Sequence, residues 1–261
     1  VYSDQPSGPF WVPDEGSESA RPKSFVLTKT HCGAPCQLCP PSQYVKAYHY
    51  FRRRCLRAER LEEDRNSPGK SKISIVKDFY PSLHVKRSIH LIRDPFDNIV
   101  SRFRYERNNN RTAANAPDTP EGFRKYCAKL NKLFLNDHKN SRSLEASLIK
   151  RIYEVPCYAD LIRYIEWHNM AFITENDLKL DSLIIHYGDY KTSFNQTLKK
   201  MLDFLHLDSV GPAPFFDETK TYQHYFAQSE KQAFWDVAKE LALKQTWEAI
   251  SRYQFQHSFS G

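Results

Sequence analysis

The sequence predicts an α/β fold in which a parallel sheet is flanked by helices. Three runs, Ser24–Thr28, Ser88–Ile92 and Asp181–Tyr187, have the length and apolar content of short buried strands. The last two lead directly into segments with helical spacing, and strand–helix alternation builds parallel sheets. All three end in polar or charged residues, at Lys29-Thr30-His31, Arg93-Asp94 and Gly188-Asp189. The carboxyl ends of strands are where open α/β sheets bind ligands.

Length and composition bound the possibilities. A chain of 261 residues can hold one large domain or two small ones with a real core. With 40% hydrophobic residues and 14% aromatics, a disordered chain is excluded. No apolar run is long enough to span a membrane, and no signal-peptide pattern opens the chain. A net charge of +7 and a pI near 9.0 favour anionic ligands: nucleotides, nucleic acid, or acidic polysaccharide or peptide. The basic residues are scattered and no DNA or RNA motif appears, so nucleic acid is not an expected partner.

Residues 1–23 are rich in Pro, Ser, Gly and acidic side chains without periodicity and read as an irregular segment. The strand Ser24–Thr28 then delivers Lys29, Thr30 and His31 to its carboxyl end. Cys32, Cys36 and Cys39 follow, spaced C-x₃-C-x₂-C, with Cys55 further on. That spacing is a poor match to the common zinc patterns. A disulfide-stapled loop is the other reading, and Cys127 and Cys157 make the total even. The pairing is not readable. Tyr44–Glu63 reads as a basic helix, Asp64–Ser71 as a polar break, and Ile73–Val76 as a short strand or buried turn.

The stretch Ser88–Tyr105 organises the chain. Apolar residues at 89, 91 and 92 make its first half a strand. Asp94-Pro95 is a helix start, an Asp N-cap before a Pro whose missing N–H is harmless at the first helical position. Phe96, Ile99, Val100 and Phe103 follow the i, i+3, i+4, i+7 rule and give the helix a buried face. At about 100° per residue, Asp97, Ser101 and Arg104 lie on its flank. Arg93 and Ser101 thus converge near a strand's carboxyl end, a mix that suits an anion. Taken alone, the unit is equally compatible with an ordinary β-α step and a surface ion pair.

Beyond it, Asn108–Pro120 is a polar loop. Glu121–Leu135 is a helix burying Phe123, Tyr126, Cys127, Leu130 and Phe134, Ser143–Ile152 is a weaker helix, and Tyr158–Thr174 is strongly helical. Thr192–Leu205 forms the helix after the strand Asp181–Tyr187. Ser209–Thr221 is Pro- and Gly-punctuated. Ser229–Tyr253 reads as one final helix with Ser229 as its cap.

RDPFDNIVSR resembles the 3′-phosphate-binding motif of sulfotransferases that use 3′-phosphoadenosine 5′-phosphosulfate (PAPS). Arg93, Asp94, Pro95, Asp97 and Ser101 stand at the motif's positions. Lys29-Thr30-His31 is similar to the Lys-Thr-His of many such enzymes, and Asp181–Leu205 to the family's strand–Tyr–helix segment. The resemblance implies a P-loop-type three-layer sandwich with a sheet of about four or five strands. It implies that Arg93 and Ser101 grip the 3′-phosphate and that Tyr187 lies near the adenine. It makes His31 the general base on the acceptor hydroxyl, with Lys29 as neighbouring positive charge. PAPS is the co-substrate and no metal is needed. The likeness covers roughly Ser24–Tyr253, and the domain it implies spans residues 24–261 with a Cys-rich insertion at about 32–72.

The sequence departs from the family in three places. Gly188 and Tyr190 replace a usual Glu and Leu, and Tyr222–Phe226 lacks the basic Arg-Lys-Gly loop. The loop that holds the 5′-phosphosulfate is not found: Arg21-Pro22-Lys23-Ser24 runs straight into a strand with no Gly. Because the chain starts at Val1, a fragment with that loop upstream is expected. The alternative is a non-catalytic nucleotide- or acidic-glycan-binding member of the fold. A P-loop kinase would need a Walker lysine that is not visible. The cysteines and the sequons Asn110-Arg111-Thr112 and Asn195-Gln196-Thr197 lean toward a Golgi-lumen enzyme whose membrane anchor would lie upstream of Val1, with cytosolic residence open. The resemblance implies a hydroxyl acceptor, a glycan, a protein tyrosine or a small alcohol, and net basicity favours an acidic polysaccharide or glycoprotein.

Overall fold

The computed structural model describes residues 30, 32, 48–64, 72–79, 81–141, 146–212, 222 and 224–256. These fall into two compact units, the first ending at Lys86 and the second running from Arg87.

In the first unit, helix α1 (Tyr48–Cys55) is followed by an antiparallel pair, β1 (Arg57–Asp64) and β2 (Lys72–Phe79). The expected helix over Tyr44–Glu63 is corrected: within the described residues it ends at Cys55, and Arg57–Asp64 is strand. Its charged residues are good helix formers, but pairing along all of β2 overrides that local preference. Cys55 is bonded to Cys32, and the Arg53 guanidinium lies 4.3 Å from the Phe79 ring centroid. Cys36, Cys39 and the strand expected at Ser24–Thr28 lie outside the described residues.

The second unit is α/β and mostly helical. Strand β3 (Arg87–Ile92) leads into helix α2 (Pro95–Asn108). Asp94 caps α2 as expected, its Oδ1 accepting from the N–H groups of Phe96 and Asp97 at 2.9 and 3.0 Å. Phe96, Ile99, Val100 and Phe103 are all buried. Helices α3 (Pro120–Ser141), α4 (Ala146–Ile152) and α5 (Tyr158–Asp177) precede strand β4 (Asp181–His186). Strand β4 pairs with β3 in parallel, Arg87 opposite Asp181 and Ile92 opposite His186. Among the described residues the parallel sheet holds these two strands. On β3, His90 and Ile92 are buried, whereas Leu91, expected inside, is 50% exposed.

The core gathers α2, α3, α5 and the C-terminal helices. Phe96 meets Phe226 and Phe234 edge-on at 4.9 and 5.3 Å. The disulfide Cys127–Cys157 joins α3 to the start of α5 across 30 residues, a closure worth roughly 3–4 kcal/mol on loop entropy. Buried Asp160 takes both Arg163, at 2.7 Å, and Arg102, at 3.2 Å, so an ion triad ties α2 to α5.

After β4 come a short helix α6 (Asp189–Thr192) and α7 (Phe194–Leu205). The single final helix expected over Ser229–Tyr253 is corrected to three: α8 (Gln228–Leu241), α9 (Lys244–Ile250) and α10 (Arg252–Gln256). The break after α8 is made by Asn169 of α5, which donates to the Leu241 carbonyl and accepts from the Leu243 N–H, both at 2.9 Å. The cap of α8 is Ala227 rather than Ser229, with the Glu230 carboxylate accepting the Ala227 N–H at 2.7 Å.

Candidate functional site

The site is built where β3 ends. The Tyr187 N–H donates to the Ile92 carbonyl at 2.7 Å and the Tyr253 hydroxyl to the same oxygen at 3.2 Å. One residue on, the Arg93 carbonyl accepts the Tyr164 hydroxyl at 2.6 Å. These bonds fix the backbone from which the Arg93 side chain leaves the sheet.

The Arg93 guanidinium packs against two tyrosine rings. Its Cζ is 4.6 Å from the Tyr187 ring centroid and 5.2 Å from that of Tyr222. No carboxylate pairs with it among the described residues, and its Nε is buried without a hydrogen-bond partner. A guanidinium with no carboxylate partner among the described residues, held against aromatic rings after a strand's carboxyl end, has the chemistry to accept an anion. Ser101, half-buried, follows on α2.

A second guanidinium packs against Tyr222. The Arg104 Cζ lies 4.9 Å from the Tyr222 ring and 5.6 Å from the Tyr225 ring. Arg104 also donates to Asp118 Oδ1 at 3.1 Å, and Tyr225 donates to the same oxygen at 2.9 Å. Desolvation opposes the ionisation of Asp118, but the hydrogen bonds from Tyr225 and Arg104 outweigh it and hold the carboxyl below its usual value.

Behind the strand lies a buried polar chain. His90 Nε2 and His168 Nδ1 are hydrogen-bonded at 2.8 Å. His90 Nδ1 is 3.4 Å from Glu175 Oε1 but out of line for a hydrogen bond. That carboxylate instead accepts the Ser88 hydroxyl at 3.0 Å. Burial, reinforced by His90 and His186, pushes His168 well below the ordinary histidine value, so it is neutral. His168 is therefore a packed core histidine, as is common on a helix.

Of the residues singled out in the sequence, Arg93 and Tyr187 are in direct contact, and Ser101 is carried by the helix that follows Arg93. Lys29 and His31 lie outside the described residues. Tyr222 was not singled out: no periodicity marks it, and its one signal is the aromatic run Tyr222–Phe226 in a basic chain. A recess of about 590 Å³ lined by Ile149, Arg151, Glu154, Ser229 and neighbouring residues shares none of these groups, and its mixed charges do not suit it to an anion. Among the described residues no cluster of three or more His, Cys, Asp or Glu could hold a metal ion, and no helix is long and apolar enough to cross a membrane.

Comparison with known proteins gives one family. The family model described as "Sulfotransferase domain" matches residues 80–259, which takes in both β3–α2 and β4–α7. No curated protein and no solved structure matches the chain.

Proposed function

The chain belongs to the sulfotransferase family, and from that premise we propose that it transfers a sulfuryl group from PAPS to a hydroxyl acceptor. The observation that carries this reading is Arg93, a guanidinium with no carboxylate partner among the described residues, packed against Tyr187 and Tyr222. Its buried, partnerless Nε fits a phosphate oxygen, and the partly exposed ring of Tyr187 fits a purine. Arg93 and Ser101 would hold the 3′-phosphate and Tyr187 the adenine.

In this reading the acceptor oxygen attacks sulfur in line. The bond from sulfur to the bridging oxygen of the phosphosulfate breaks as the new S–O bond forms. The acceptor's proton passes to His31, whose imidazole has a pKa suited to a base near neutrality. The products are a sulfate ester and adenosine 3′,5′-bisphosphate. Lys29 would supply positive charge beside the base. Positioning and charge stabilisation supply most of the rate, by analogy with phosphoryl transfer.

The acceptor is proposed to be an acidic polysaccharide or a glycoprotein, supported by the net charge of +7. Residence in the Golgi lumen is supported by the disulfides Cys32–Cys55 and Cys127–Cys157, which persist in oxidising compartments. It is supported also by the sequon at Asn110, exposed in the turn after α2.

The test is calorimetric titration with adenosine 3′,5′-bisphosphate. Arg93→Ala should raise its dissociation constant by about a hundredfold or more, the loss of a bidentate charge-assisted contact. An unchanged constant would overturn the assignment.

A further inference from the structure

Two arginines share one tyrosine ring. The Cζ atoms of Arg93 and Arg104 lie 5.2 and 4.9 Å from the centroid of Tyr222, itself only 5% exposed. Like charges do not gather around one buried ring without a reason. Their partners differ. Arg93 has no carboxylate among the described residues, while Arg104 donates to Asp118 and, at 3.4 Å, to the Tyr225 hydroxyl.

The Arg104–Asp118 pair is partly open to water, with side-chain exposures of 27% and 34%. Such pairs contribute little and are cheap to break. Asp118 would not be stranded, because Arg107 reaches its Oδ2 at 3.5 Å and Tyr225 still donates to Oδ1. Arg104 also stands three residues after Ser101 on α2, one turn along the same flank.

We propose that Arg104 is the second guanidinium of the nucleotide's 3′-phosphate site, and that Asp118 is the internal anion it exchanges for that phosphate. The proposal rests on the reading of Arg93 as a phosphate ligand. A phosphate monoester carries nearly two negative charges and three acceptor oxygens, more than one guanidinium fork satisfies. Both cations pack against the Tyr222 ring, at 5.2 and 4.9 Å from its centroid. The aromatic segment at Tyr222 thereby serves the phosphate end, where the sequence lacks a basic loop.

The experiment measures dissociation constants for adenosine 3′,5′-bisphosphate and for adenosine 5′-monophosphate at one salt concentration. The proteins are the parent chain, Arg93→Ala, Arg104→Gln, Arg104→Lys and Asp118→Asn. Arg104→Gln should weaken the bisphosphate about tenfold and leave the monophosphate unchanged, with Arg104→Lys between. Asp118→Asn should tighten the bisphosphate a few-fold, a gain that misfolding cannot produce. Equal losses for both ligands on Arg104→Gln, or no loss for either, overturns the proposal. If the parent chain does not prefer the bisphosphate and Arg93→Ala changes nothing, the underlying reading of Arg93 fails instead.

Discussion

The phenolic hydroxyl of Tyr164 donates to the backbone carbonyl of Arg93 at 2.6 Å, binding α5 to the residue that follows β3. Tyr164 is buried, and burial raises its pKa well above the ordinary tyrosine value, so it remains a donor across the working pH range. The bond fixes the backbone from which the Arg93 side chain leaves the sheet, so in the proposed site Tyr164 acts as a positioning residue.

Tyr164→Phe should therefore cost about 1–2 kcal/mol of stability, the penalty for leaving a buried carbonyl without its donor. It should also raise the dissociation constant for adenosine 3′,5′-bisphosphate a few-fold while leaving that for adenosine 5′-monophosphate alone. Urea unfolding checks the first effect and calorimetry the second. A stability loss with unaltered bisphosphate binding would assign the bond to the core alone.

The local chemistry of this region was legible because it is carried by neighbours in the chain. Asp94-Pro95 announces a helix start through capping, and Asp94 accepts the N–H groups of both Phe96 and Asp97. Phe96, Ile99, Val100 and Phe103 announce the buried face through period alone. What was not legible depends on residues far apart. Nothing in Leu241-Ala242-Leu243 ends a helix; the break is made by the amide of Asn169 on another element. Arg57–Asp64 has the composition of a helix and becomes a strand only through its pairing with Lys72–Phe79. The Arg93–Tyr222–Arg104 arrangement joins three positions with no common spacing, so the sequence shows the guanidiniums but not the ring they share.

Glu166 sets a pH dependence. The residue is half-buried, but its Oε2 is sealed from water with no hydrogen-bond partner. Burial pushes its pKa up to about 7, only partly offset by the attraction of Arg163. At low pH both folded and unfolded chains hold the proton. As pH rises past the ordinary glutamate value of 4.5, the unfolded chain releases it while the folded chain keeps it. Stability is thus fully present below that value and is lost as pH rises through about 7. Glu166→Gln removes the loss, so the variant should gain up to roughly 3 kcal/mol at pH 8 and almost nothing at pH 4. Histidines act with the opposite sign: burial first, then Arg252, lowers His186 to about 4, which favours the folded state above the unfolded histidine value of 6.5. That contribution is common to both proteins and cancels in their difference. Urea midpoints of parent and variant at the two pH values decide it, and an equal shift at both would remove Glu166 as the cause.

The two sequons are not equivalent in the fold. Asn110 is exposed in a tight turn with φ of 55°, beyond the C-terminal end of α2, where a bulky glycan meets solvent. Asn195 lies in the first turn of α7. Its partner Thr197 is only 6% exposed, and the Thr197 hydroxyl is already committed to the Asp189 carbonyl at 3.2 Å. A sequon is read from a surface loop, which Asn110 supplies and Asn195 does not. Expressed through a eukaryotic secretory route, the chain should carry one N-linked glycan, seen as a single mobility shift that an endoglycosidase reverses. Asn110→Gln should abolish the shift and Asn195→Gln should leave it intact. Two shifts in the parent protein would mean that the commitment of Thr197 in α7 does not protect the second sequon. No shift would remove the sequon at Asn110 as support for residence in the Golgi lumen, leaving the disulfides as the structural argument for an oxidising compartment.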